Sequence, residues 1–148
     1  MTLEVTDRLI LRALSTDGRL SYTELAERVG LSVSAAHQRV RRLEQRGVIR
    51  GFRVDVDADE LGLALTAFVS IRPVDPAAPD DAPSRLVHLR AIEACHSVAG
   101  DESYILKVRV GSPVDLESLL QQIRAAANVS TRTTVVLSTP FESRPPEV

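Results

Sequence analysis

The chain of 148 residues carries one cysteine, no tryptophan and only 3% aromatic residues. A single thiol, Cys95, excludes an internal disulfide and cannot build a thiolate metal site. Its alternating apolar surroundings predict a packed strand residue. With so few aromatics the cores must be aliphatic, and a hydrophobic content of 44% is enough to supply them. No apolar run reaches bilayer-spanning length, and the opening Met1-Thr2-Leu3-Glu4 lacks a basic signal region, so no membrane partner and a cytoplasmic location are expected. There is no Gly-rich phosphate loop, no nucleophile with a neighbouring base and no metal-ligand spacing, so no cofactor is expected.

The net charge of -2 would argue against a polyanionic partner, but the charge is unevenly spread. Residues 1–56 hold ten arginines against seven acids, net +3, and residues 57–148 hold eight basic residues against thirteen acids, net -5. Between His37 and Arg53 six arginines are opposed only by Glu44. A basic segment in an acidic chain concentrates its potential locally, as nucleic-acid readers do.

That segment lies in two short predicted helices joined by a tight turn. Ser21-Tyr22-Thr23-Glu24 is a capping box at the start of the first, whose buried face is Leu25, Ala26 and Val29. Ala26 leaves room for a close crossing, Gly30 supplies the turn, Leu31 plugs the angle, and Ser32 caps the second helix. There Ala36, Val40 and Leu43 recur at i, i+4 and i+7 as the inward stripe. Ser34, Gln38 and Arg41 then face outward, His37 and Arg42 stand on the shoulders, and Arg39 and Arg46 sit lower on one flank. Ser32, Val33, Ser34, His37, Gln38, Arg39, Arg41 and Arg42 are the candidate DNA contacts. Amides and guanidinia near the outward face can pair with base edges in a major groove while other arginines bond phosphate. The competing reading is a solvated amphipathic helix. Double-stranded operator DNA is the expected partner, and with it nucleoid association.

Ahead of this unit Leu9, Ile10, Leu11 and Leu14 follow Asp7, the expected cap of a first helix packed across the other two. After it, Val48 to Val56 alternates and is rich in β-branched residues, which predicts a strand leaving the head. Leu65, Ala67, Val69 and Ile71 predict a strand, Leu86, Leu89 and Ile92 a helix, and Ala94–Val98 with Tyr104–Val110 a hairpin. Ser112-Pro113-Val114-Asp115 starts a further helix through Leu116, Leu119, Leu120, Ile123 and Ala127. Thr131 to Thr139 predicts a last strand. The fold expected is α+β: a three-helix winged helix-turn-helix head (1–50), a strand linker (51–62), a ferredoxin-like βαββαβ domain (63–140) and a loosely held tail (141–148). Both helices of that domain lie on one sheet face, and Phe68, Ile105 and Val136 would help line the other, for a partner subunit to cover.

The motifs GRLSYTELAERVGLS and RVRRLEQRGVIRGF, the boundary Leu61-Gly62 and the hairpin stretch VAGDESYILKV together resemble the Lrp/AsnC (feast/famine) transcription regulators over nearly the whole chain. The resemblance implies that the C-terminal half is a RAM domain, similar to ACT-type amino-acid sensors. It also implies homodimers assembling to an octamer and a free amino acid as effector at the contact between dimers. The family's hairpin motif is usually Gly-x-x-Asp-Tyr, whereas this chain reads Gly100-Asp101-Glu102-Ser103-Tyr104, which passes the contact with the ligand ammonium to Asp101 or Glu102.

The residues alone support an amino-acid site at this hairpin, since backbone amides around Gly100 can receive a carboxylate and the adjacent acids an ammonium. An ordinary turn with solvated acids is the alternative. Candidate effector residues are His96, Val98, Gly100, Asp101, Glu102, Ser103, Thr131 and Thr133, with His96 equally readable as a surface histidine. Two other functions fit the same plan. One is a ligand-independent winged-helix repressor whose C-terminal half only dimerises. The other is an enzyme, because siroheme decarboxylases resemble this layout, but such chemistry needs a heme-sized basic pocket and acid histidines, and His37, His88 and His96 are the only histidines present.

Overall fold

Five helices and four strands follow one another in a computed structural model that describes residues 3–147: α1 (Val5–Thr16), α2 (Tyr22–Val29), α3 (Val33–Gln45), β1 (Leu65–Pro73), α4 (Ala82–Leu86), β2 (Ile92–Ser97), β3 (Tyr104–Val110), α5 (Pro113–Ala127) and β4 (Val129–Val135). The chain divides into two units. One runs to Asp55 and takes in the segment from Phe141 onward, and the other is Val56–Pro140. The tail, expected to be loosely held, thus groups with the head, and within it the Arg144 guanidinium stacks 3.9 Å above the Phe141 ring.

In the head, Ile10, Leu25, Val40 and Leu43 form the buried cluster, one or two residues from each helix. The α2 capping box forms as the sequence requires. Glu24 N–H donates to Ser21 Oγ at 3.2 Å, and Ser21 N–H donates to Glu24 Oε2 at 2.8 Å. Gly30 closes α2 at φ 68°, a left-handed conformation that a side chain would strain. The expected cap of α1 is corrected: Glu4 occupies that position, and Asp7 lies inside the first turn, buried to 1% exposure. The partly exposed Arg39 of α3, bonded to the buried carboxylate at 2.9 Å, outweighs the local preference of aspartate for a cap. Val48 to Val56, read as a strand, joins no ladder within the single chain, because alternation supplies the side-chain pattern of a strand but not a hydrogen-bonding neighbour.

The second unit is one antiparallel sheet in the order β2-β3-β1-β4, the ferredoxin-like arrangement. Ala67, Val69 and Ile71 of β1 and Leu106, Val108 and Val110 of β3 point to one face, where Leu86, Leu116, Leu119 and Ile123 cover them. Ser112 caps α5 by accepting from Asp115 N–H at 3.2 Å, with Pro113 in the first turn. Gly111 is forced by contact, since a Cβ there would stand 2.8 Å from the Gly62 carbonyl oxygen.

Three expectations change here. The helix through Leu86, Leu89 and Ile92 stops at Leu86. Leu89 N–H bonds to Leu86 O and Ile92 N–H to Leu89 O, successive tight turns that deliver Ile92 to pair with Val108. The last strand begins at Val129, straight after the left-handed Asn128, and ends at Val135 opposite Ala67, with one further bond from Val136 N–H to Thr66 O at 2.9 Å. Cys95 is exposed rather than packed, since β2 is an edge strand and the helices do not reach over it. On the uncovered face Phe68 is 40% exposed, but its cross-strand neighbours are Lys107 and Thr134, so that face is mixed rather than apolar.

Candidate nucleic-acid interface and effector hairpin

The helical phase read from α3 holds: Ala36, Val40 and Leu43 are buried, while Ser34, His37, Gln38 and Arg41 are exposed. Ser32 caps the helix by accepting from Ala35 N–H at 3.2 Å, and its hydroxyl shares a 3.3 Å hydrogen bond with that of Ser34. Val33 is 47% exposed beside them. His37 is less free than its position suggests, because its ring meets Tyr22 of α2 edge-on, with centroids 4.7 Å apart. Such a contact ties the exposed sides of the two helices together.

Arg39 and Arg42 behave differently from Arg41. Arg39 Nη1 donates to Asp7 Oδ1 and to Glu4 Oε2, each at 2.9 Å. Arg42 Nη2 lies 3.5 Å from Asp7 Oδ2 and 3.8 Å from Glu4 Oε1. Each carboxylate of α1 therefore bridges both arginines, one oxygen to each. The bond to Asp7, then that to Glu4, holds the Arg39 guanidinium above its ordinary basicity. No spacing rule exposes this quartet in the sequence, since its two acids lie more than thirty residues from its two arginines along the chain.

The effector candidates fall into three places. Gly100 and Asp101 form the exposed tip of the β2–β3 turn, and Asp101 has no ion pair among the described residues. Glu102 is ion-paired with Arg132 of β4. Ser103 is built into the backbone, its N–H donating to Ile71 O at 3.0 Å and its carbonyl accepting from Val98 N–H at 3.2 Å. His96, opposite Ile105, shares the uncovered sheet face with Arg132, opposite Ser70. Thr131 and Thr133 pair with Ile71 and Val69 and turn toward α5, where the Arg124 guanidinium donates to Thr131 Oγ1 at 3.0 Å. A single chain thus brings Glu102 and Arg132 together but sets the two threonines on the opposite face from His96. Beside Ser103, a cavity of about 80 Å³ lies between the loop after β1 and the end of α5. The Tyr104 hydroxyl donates to Asp80 Oδ1 there at 2.8 Å, a bond that raises the phenol's pKa.

Residues 3–50 match the winged helix-turn-helix DNA-binding family, and residues 66–146 match the Lrp/AsnC ligand binding domain. The chain belongs to the Lrp/AsnC family. The HTH-type transcriptional regulator LrpA of Mycobacterium tuberculosis is 54% identical to it over 138 residues, covering 93% of this chain and 92% of LrpA. The leucine-responsive regulatory protein of Escherichia coli (strain K12) is 39% identical over 136 residues, covering 88% and 82%. Among solved structures, the feast or famine regulatory protein of M. tuberculosis complexed with L-methionine aligns with a TM-score of 0.97 at 51% identity, covering 99% of this chain and 100% of that one. Escherichia coli AsnC aligns at 0.85 and 31% identity, covering 97% of each chain. This Lrp/AsnC chain is therefore a DNA-binding transcription regulator, with its helix-turn-helix in the head and the family's ligand-binding fold in the second unit. Among the described residues no helix is long and apolar enough to cross a membrane.

Proposed function

We propose that this regulator reads operator DNA with the outward face of α3, chiefly Ser34, Gln38 and Arg41. Its second unit takes a free amino acid at the Gly100–Tyr104 hairpin, and homodimers assemble to an octamer. The amino-acid effector rests above all on the M. tuberculosis feast or famine regulatory protein, which was solved complexed with L-methionine. The exposed carboxylate of Asp101 suits a ligand ammonium, and the backbone around Gly100 suits a carboxylate. The uncovered sheet face, with Phe68 40% exposed on it, leaves a surface that a second copy can cover. The effector alters DNA binding to the extent that it binds one assembly state more tightly than another. A regulator rather than an enzyme fits the dispersal of the histidines: His37 lies against Tyr22, His88 in an exposed turn and His96 on the sheet.

The Glu102–Arg132 ion pair favours the runner-up, a ligand-independent repressor, because it already occupies one of the two acids. Calorimetry of the full chain against the proteinogenic amino acids, repeated with Gly100→Val, separates the readings. A Cβ at Gly100 would meet no atom within 4 Å and its φ is not positive, so the fold tolerates the change. Loss of effector heat and of effector response, with duplex binding retained, is expected. A Gly100→Val protein that responds like the unmodified chain would move the site elsewhere, and no heat from any amino acid would favour the repressor.

A further inference from the structure

On α3, at about 100° per residue, Arg41 and Arg42 stand roughly 50° to either side of the direction opposite the buried stripe. The two arginines flank the outward face almost symmetrically, yet their surroundings differ. Arg41 is exposed, with no ion pair or hydrogen bond among the described residues. Arg42 is bridged to Glu4 and Asp7, which also hold Arg39. Two carboxylates face two guanidinia, so the quartet is neutral. Asp7 is anchored by its burial at 1% exposure, whereas Glu4, 59% exposed, closes the quartet from the solvent side.

We propose that Glu4 and Asp7 are specificity-determining residues that hold Arg39 and Arg42 off the DNA backbone, leaving Arg41 and its outward neighbours to read the duplex. The proposal rests on the reading of α3 as the DNA-contacting helix. Phosphate contacts contribute affinity without sequence information, and each one steepens the dependence of log K on log salt by about 0.9. Two unmasked arginines on the flank would raise binding to every sequence, which lowers the ratio of operator to random binding. Neutralising them within the head keeps that sequence-blind contribution small while preserving the docking of α1 on α3.

The test measures binding of the full-length chain to a random-sequence duplex across a salt series. In Glu4→Gln one carboxylate remains for two guanidinia, so Arg42, the longer-bonded and more exposed of the pair, is released to phosphate. The salt slope should steepen by up to about 0.9, and random-duplex affinity at 0.1 M salt should rise roughly fivefold to tenfold. Glu27→Gln, an exposed acid of α2 outside the quartet, makes the same change in net charge and should move the slope much less. Because Glu4 is exposed, its substitution keeps the head folded, and Asp7→Asn, checked by its melting curve, should shift the slope in the same direction. An unchanged or shallower slope in Glu4→Gln would overturn the proposal, as would equal shifts in Glu4→Gln and Glu27→Gln. Absence of any salt-dependent duplex binding by the unmodified chain would overturn the DNA reading itself, and the proposal with it.

Discussion

In the head the fully buried cluster is Ile10, Leu25, Val40 and Leu43, with the carboxylate of Asp7 buried next to an arginine; in the sheet unit thirteen hydrophobic residues are buried and no charged one is. The two units reach order by different means. A three-helix head of about fifty residues has little apolar area to bury, so capping bonds and an internal ion-pair quartet carry more of its organisation. The sheet unit pairs four strands, packs α5 across one face, and keeps its charges off that core, as where Glu93 sits between Arg109 at 2.6 Å and Lys107 at 3.4 Å on the uncovered face. Charge is structural in the head and peripheral in the sheet.

If that contrast is real, truncating the cores should unfold the units separately. Leu43→Ala and Ile123→Ala should each cost about 2–5 kcal/mol, the first releasing amide protection in α1–α3 and the second in β1–β4 and α5. Hydrogen exchange that showed both substitutions releasing the whole chain together would mean one cooperative unit instead of two. A smaller effect is expected from charge removal. Arg39→Ala leaves Asp7 buried without its closest cation and should cost about 3 kcal/mol, whereas Glu93→Ala on the uncovered sheet face should cost under about 1 kcal/mol. Equal losses in chemical denaturation would erase the distinction between structural and peripheral charge.

The least effect belongs to pH, and it runs in opposite directions. Glu24 has its pKa lowered, first by the hydrogen bond from the Ser21 backbone, so its contribution to the head is present above its ordinary value of 4.5 and is lost as pH falls through the depressed one. Tyr104 has its pKa raised, first by its bond to Asp80, so its contribution to the sheet unit is present below the ordinary value of 10.0 and is lost as pH rises through the elevated one. Glu24→Gln should flatten the acid side of the head's stability profile, and Tyr104→Phe the alkaline side of the sheet's. Profiles that keep their shape in both variants would remove these bonds from the account.

Much of the head was legible because its signals are local. The capping box, the Gly30 turn, the Ser32 cap and the Ala36-Val40-Leu43 stripe each involve residues within about two helical turns of one another, and backbone chemistry at that range depends little on the rest of the chain. The strand Tyr104–Val110, the Ser112-Pro113 start of α5 and the βαββαβ order were legible for the same reason. Tertiary structure alone decided whatever depends on which distant residue stands opposite. It turned Asp7 from an expected cap into the buried partner of Arg39, ended β4 at Val135 opposite Ala67, cut the helix before Ile92, and left Cys95 on an uncovered edge. It also separated Thr131 and Thr133 from His96 by one sheet thickness, because strand register fixes the face of every side chain and register is set between strands rather than along them.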